Sequence, residues 1–218
     1  MEDKNSRIMD VAADNAPVPG CTISRQMIEH GEGRASVFSL AAGTGISAES
    51  YSRHKLLTVY SGSMEVYTAD GRSSQMAAGD SLITEKDVPV GMRSGEGCIY
   101  TETEFGKETA MNEILKAGKV FELKDLVPYQ EGRIVNMDLI SDPDMKFVIM
   151  SFDEGTGLSE HAAPGEALVF ALDGKAVIRY EGVDYPIRAG ETFKFDKMGR
   201  HAVTADGRFK MALLLVLK

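Results

Sequence analysis

The chain repeats itself. From Arg7 onward its first half can be laid on its second at an offset of 112 residues. Gly20 then meets Gly132, Ile28 meets Ile140, Ser39 meets Ser151, and Gly43-Thr44-Gly45 meets Gly155-Thr156-Gly157. Ser47 meets Ser159, Leu56 meets Leu168 and Gly62 meets Gly174. After a single-residue gap the offset becomes 111, with Gly71 on Gly182 and Ala78-Gly79-Asp80 on Ala189-Gly190-Glu191. Self-similarity held over such a length means two copies of one folding unit. The copies run over 7–106 and 119–218, behind a short, flexible polar arm at 1–6. Each has roughly 100 residues, enough to bury a core of its own.

Within each copy, short apolar or alternating runs are separated by turns. Runs at 21–27, 34–40, 56–60, 64–68, 81–84 and 98–104 fit strands in the first copy. Those at 133–139, 146–152, 168–172, 176–180, 192–195 and 210–217 fit strands in the second. Asp70-Gly71 and Glu181-Gly182 are hairpin signals. The pattern predicts an all-β fold, a sandwich or barrel in each half. One segment differs: Met111, Ile114 and Leu115 share a helical face and Gly118 supplies a stop, so 107–118 is expected to be a connector helix. The run 211–217 is apolar without alternation, as in a strand covered on both faces. Such a strand could also pack on the other copy or on a second chain.

A net charge of −9 repels phosphate backbones and anionic lipid, which argues against nucleic acid and membrane surfaces as partners. The longest apolar run is far shorter than the roughly 20 residues of a spanning helix. The first residues lack the basic and apolar segments of a secretion signal. Cys21 and Cys98 form neither a CxxC pair nor a zinc spacing. They are read as reduced thiols in a cytoplasmic protein.

Chemistry concentrates in the second copy. Residues 157–174 are a polar loop with one His and one Glu, then an apolar strand and a glycine. Gly155, His161, Pro164 and Gly174, followed by Gly190 and His201, resemble the two short motifs of the cupin family. With the first copy included, nearly the whole chain resembles a bicupin. The resemblance implies two tandem β-barrels or jelly rolls joined by a short helix. It also implies one divalent metal (Fe, Mn, Ni or Zn) held by three His and a Glu. His161 and His201 match two of those ligands. Ala163 replaces a third, and the Glu position falls on Ala167, with Glu166 one residue early. Asp196 and Met198 stand where the second motif has Pro and Gly.

Two site readings follow. His161, His201 and Glu166 together would make a two-His-one-carboxylate set, suited to non-haem iron or a similar metal. That requires a bulge, because a shift of one residue along a strand turns a side chain to the other face. Without Glu166, the two imidazoles are polar contacts for a small organic ligand in an apolar pocket, with Met198 at its mouth. The first copy has Glu49, His54 and Val90 in place of His161, Glu166 and His201, so it carries no metal set. It is expected to be a structural partner or a cavity for a different ligand. The functional expectation is a cytoplasmic, homodimeric bicupin that binds a small molecule. Its alternatives are a metal-dependent dioxygenase, isomerase or decarboxylase, and a sensing or scaffold protein.

Overall fold

A computed structural model describes residues 7–30, 33–107 and 109–217; the polar arm at 1–6 lies outside them. In chain order the strands are β1 (Ile8–Asp10), β2 (Thr22–His30), β3 (Gly33–Leu40), β4 (Thr44–Glu49), β5 (Lys55–Thr68) and β6 (Ser73–Ala77). Next come β7 (Asp80–Ile83), β8 (Val90–Ser94), β9 (Cys98–Glu104), β10 (Ala110–Met111), β11 (Val120–Glu122) and β12 (Ile134–Ser141). The last are β13 (Met145–Phe152), β14 (Gly157–Ala162), β15 (Glu166–Tyr180), β16 (Val183–Arg188), β17 (Glu191–Phe195) and β18 (Arg200–Val216).

They form two compact units. The first comprises Val11–Thr109 and Glu113–Glu122; the second comprises the described residues of Met1–Asp10, Ala110–Asn112 and Leu123–Lys218. In the first, the strand order β11-β7-β5-β9-β3-β2 makes one layer; β5 also pairs with β6 and β8, and β8 with β4. In the second, β1-β17-β15-β18-β13-β12-β10 makes the layer, β15 also pairs with β16, and β18 with β14. Each is a jelly-roll barrel. Buried apolar side chains fill the interiors, among them Leu57, Val66, Val90 and Tyr100 in the first and Val169, Ile178, Phe195 and Val203 in the second.

The repeat survives as identical ladder register. In the first barrel Lys55 pairs with Glu104, Leu57 with Glu102 and Val59 with Tyr100. In the second Ala167 pairs with Leu215, Val169 with Leu213 and Ala171 with Met211. Gly62 and Gly174 do not end strands, as the separate runs at 56–60 and 64–68, or 168–172 and 176–180, suggested. Each sits inside one long bent strand, at φ 73° and 71°, paired across to Cys98 and Phe209 respectively. A single left-handed glycine kinks a strand from one layer to the next without a hairpin.

The connector helix is not formed. Among the described residues of 107–118, Ala110–Met111 pair with β12 instead, and turns follow. The three apolar residues share no face: Leu115 is buried while Ile114 is 46% exposed. A lone helix of about ten residues is marginal in water. Here the backbone finds better partners, as Asn112 N donates to Leu139 O at 2.8 Å and Gly118 N to Ile83 O at 2.7 Å. Among the described residues no helix is long and apolar enough to cross a membrane.

Candidate functional site

Strand parity places His201 inside the second barrel. It follows Arg200 at the start of β18, two residues before Val203 and four before Ala205, both in the interior cluster, and it is buried. Its ring stacks on Phe195 at 4.1 Å between centroids, tilted by 24°. His161, on β14, is the direct cross-strand partner of His201, and the two rings lie 4.3 Å apart. His161 is exposed, so the pair runs from surface to interior.

The two rings share one hydrogen-bonding pattern. His161 Nδ1 lies 2.8 Å from Ser159 O, and His201 Nδ1 lies 2.9 Å from Gly199 O. A carbonyl oxygen only accepts, so each Nδ1 carries the hydrogen, and in the neutral rings both Nε2 atoms are left as acceptors. Burial pulls the His201 pKa below its ordinary 6.5, the Gly199 carbonyl opposes this, and the neighbouring His161 adds to it. The folded state thus prefers neutral His201. Its stabilising share is present above the unfolded pKa of about 6.5 and is lost as pH falls towards the lower folded value. His201→Gln is expected to flatten the pH dependence of urea unfolding below that point, and an unchanged slope would place the titration elsewhere.

Glu166 does not join the pair. The inward position is taken by fully buried Ala167, and Glu166 forms an ion pair with Lys194 at 3.2 Å. No bulge corrects its parity: Glu166 and Ala167 pair in sequence with Val216 and Leu215. Among the described residues no group of three or more His, Cys, Asp or Glu could hold a metal ion. The set of His161, His201 and Glu166 is therefore not assembled. Two imidazoles fall short of the three protein ligands a transition-metal site normally needs, so a resident metal does not fit this donor set.

Met198 is 61% exposed and sits at φ 64°, in the turn that delivers His201. That turn is held by Met198 N donating to Ala163 O at 2.9 Å and Gly199 N to Asp196 O at 3.0 Å. Gly199 has no alternative, because a Cβ there would lie 2.4 Å from the Tyr180 hydroxyl oxygen. Tyr180 donates its hydroxyl to Asp196 at 3.0 Å. Arg7 also donates to Asp196, at 2.9 Å, while its guanidinium covers the Tyr180 ring at 4.5 Å. Burial pushes the Asp196 pKa up, but Arg7 and Tyr180 outweigh it and leave it below the usual carboxylate range. The role of Arg7 had no signal in the sequence, since the contact spans 189 residues.

The first barrel lacks the imidazole pair. Glu49, across from Val90, accepts the Tyr51 hydroxyl, and His54 Nδ1 donates to Thr84 O at 2.6 Å. Instead the interior holds a charged cluster that the sequence reading missed. Lys55 Nζ contacts Glu102 at 2.8 Å and Glu104 at 3.2 Å and lies 3.3 Å from the Tyr51 ring centre. Arg34 meets Glu104 at 2.6 Å, and Arg53 stands at the edge, 4.0 Å away. Lys55, Glu102 and Glu104 are all buried. Burial pulls the Lys55 pKa down and the two carboxylates more than reverse it. Burial pushes Glu102 up, only partly offset by Lys55. In Glu104 the same burial is outweighed by Arg34 and Lys55, which leave it low.

A family model described as a cupin domain matches residues 148–217. These residues hold β14, β15 and β18, and with them both imidazoles. A solved cupin 2 conserved barrel domain protein from Leptotrichia buccalis superposes with a TM-score of 0.86 at 25% identity, covering 97% of this chain and 96% of its own. Residues 148–217 thus form a cupin domain, and the chain has the cupin fold. Other cupin-fold structures are more distant in sequence and share the fold alone. A putative glyoxylate induced protein from Pseudomonas aeruginosa has a TM-score of 0.62 at 17% identity, covering 89% of this chain and 79% of its own. A salicylate 1,2-dioxygenase mutant from Pseudoaminobacter salicylatoxidans has a TM-score of 0.63 at 12% identity, covering 85% and 70%. No curated protein matches this chain.

Proposed function

We propose that the second barrel binds a small organic molecule bearing hydroxyl or amine donors, held by the Nε2 atoms of His161 and His201. The observation that carries this reading is the shared commitment of both Nδ1 atoms to backbone carbonyls, on rings 4.3 Å apart. It leaves two acceptors side by side, one of them against an apolar interior. Small-ligand sites favour barrel mouths with a few convergent polar groups. Met198 borders the site from the turn before His201. A neutral His201 with a lowered pKa would also be able to take a proton from a bound donor.

One observation favours a second reading, a metal-dependent enzyme. An Nδ1–H bonded to a carbonyl is the usual orientation of a metal-ligating His. With only two such residues, the remaining donors would have to come from the substrate.

The test is a thermal-shift panel of hydroxy acids, amino acids and aromatic alcohols on protein purified without chelator, alongside elemental analysis. The proposal expects a compound that raises the melting temperature, an effect lost in His201→Ala and reduced in His161→Ala, with no stoichiometric metal. Near-stoichiometric iron, manganese, nickel or zinc that disappears in His161→Ala would sink it in favour of the metal reading. Neither metal nor ligand would leave the barrel a scaffold. The proposed assembly is a homodimer, to be checked by light scattering.

A further inference from the structure

The same ladder steps are filled differently in the two barrels. In the second, Ile178 pairs with Tyr185, Tyr180 with His201 and Val169 with Phe193, and Phe195 follows Phe193 after one residue. In the first, Val66 pairs with Ser74, Thr68 with Val90 and Leu57 with Leu82, and Thr84 follows Leu82 after one residue. Tyr180, Tyr185, Phe193, Phe195 and His201 therefore stand where the first barrel has Thr68, Ser74, Leu82, Thr84 and Val90. In the second barrel the rings pack on one another. Tyr180 and Tyr185 lie against Phe193 at 5.8 and 5.1 Å, and Phe195 against His201 at 4.1 Å. In the first, the residues without rings all line one cavity of about 260 Å³. Its room is that of the missing rings.

The polar part of the lining is incompletely satisfied. Thr84 is buried and its Oγ1 accepts from the Lys55 backbone N–H at 3.0 Å, but its own hydrogen has no acceptor among the described residues. At the mouth, Lys119 takes the step of Arg7, because Val120 pairs with Leu82 as Ile8 pairs with Phe193. Glu85 takes the step of Asp196. The ion pair of the second barrel is nevertheless not remade. Glu85 accepts from both Nη atoms of Arg72, which also donates to Asp70 through Nε at 2.9 Å. Arg72, Glu85 and Lys119 line the cavity, with Asp70 beside Arg72 outside it, and these charges cancel. Lys119 alone of them has no ion pair among the described residues.

We propose that this cavity is a separate binding site for a small monocarboxylate with a compact apolar body, the body filling the space of the missing rings and the carboxylate meeting Lys119. Val66, Leu82 and Val90 are buried and give the body aliphatic walls. Thr84 offers its hydrogen to an oxygen carried on that body. A carboxylate gives Lys119 the partner that Glu85 does not. A cation has no such welcome, because both Glu85 oxygens already face Arg72. The volume falls below the roughly 300–1,000 Å³ of drug-sized sites, which limits the body to about one six-membered ring.

The test is calorimetric titration of the whole protein with 3-methylbutanoate, cyclohexanecarboxylate, benzoate and 4-hydroxybenzoate. Acetate, cyclohexanol and cyclohexylamine are the controls for body, charge and sign of charge. At least one of the four carboxylates is expected to bind at millimolar concentration or below, and more tightly than any control. Lys119→Gln removes an exposed side chain with no ion pair to lose, so it is expected to fold as the parent does and to weaken binding by about tenfold, the worth of one charge-assisted hydrogen bond. Ser74→Tyr restores the ring that the second barrel has at this step and is expected to abolish binding. His201→Ala is expected to leave binding intact, so this site and that of the second barrel fail separately. The assignment is overturned if none of the four binds, if a control binds as tightly, if Lys119→Gln or a folded Ser74→Tyr leaves the affinity unchanged, or if a folded His201→Ala abolishes it.

Discussion

Lys55→Ala alone is expected to destabilise the first barrel by about 3–5 kcal/mol, the range for breaking a buried ion pair from one side. The loss exceeds that of an ordinary methylene truncation because two buried carboxylates remain behind. Glu104 keeps Arg34 at 2.6 Å. Glu102, whose only ion-pair partner among the described residues is Lys55, bears the larger part. Burial already holds the Glu102 pKa above its ordinary value, with Lys55 pulling it back; without the ammonium the upward push is unopposed. A carboxyl whose folded pKa is raised favours folding most below its unfolded value, and the benefit disappears as pH rises through the folded value. The deficit of Lys55→Ala is therefore expected to be largest at neutral pH and to shrink on acidification. Adding Glu102→Leu and Glu104→Leu should recover most of it. Urea unfolding of both variants across a pH series checks this, and a deficit that grows on acidification would be incompatible with the account.

That cluster was also the least legible part of the sequence, for a physical reason. In 98–104, Cys98, Tyr100, Glu102 and Glu104 alternate with Ile99, Thr101 and Thr103, so neither face is apolar throughout. β9 lies between β3 and β5, and all seven of its residues are buried. Which face looks inward is decided by pairing on both sides, information no local window holds. The repeat did contain the clue, because the same offsets set Lys55 on Ala167 and Glu104 on Leu215. At Glu166 strand parity left two readings open, the inward one requiring a bulge, and the unbroken pairing of Glu166 and Ala167 with Val216 and Leu215 contains none. The His161–His201 pair was legible only through the resemblance to the two cupin motifs, since no local window holds the pairing of β14 with β18. The segment 107–118 misled because barely three turns of helical periodicity also fit an irregular chain with a two-residue edge strand.

Gly174→Ala is expected to be severely damaging to the second barrel. The residue sits at φ 71°, and a left-handed conformation costs an L-residue about 1–2 kcal/mol. The greater problem is space: a Cβ would lie 1.8 Å from Arg208 O and 2.9 Å from its carbonyl carbon. Neither atom belongs to a flexible side chain, so β18 itself must shift. Gly174 pairs with Phe209, which is completely buried and packs on Phe152 at 5.8 Å. Moving it opens the interior beneath the strand that also carries His201. Core disruption added to backbone strain predicts a total loss of about 4 kcal/mol or more. Gly182 supplies the control. Its φ is 77°, yet a Cβ there would meet nothing within 4 Å, so Gly182→Ala is expected to cost only the conformational share, about 1–2 kcal/mol. The difference between the two variants in urea unfolding isolates the clash. Equal losses would mean that β18 yields freely at Arg208, and that the bend in β15 is not what holds the two strands in register.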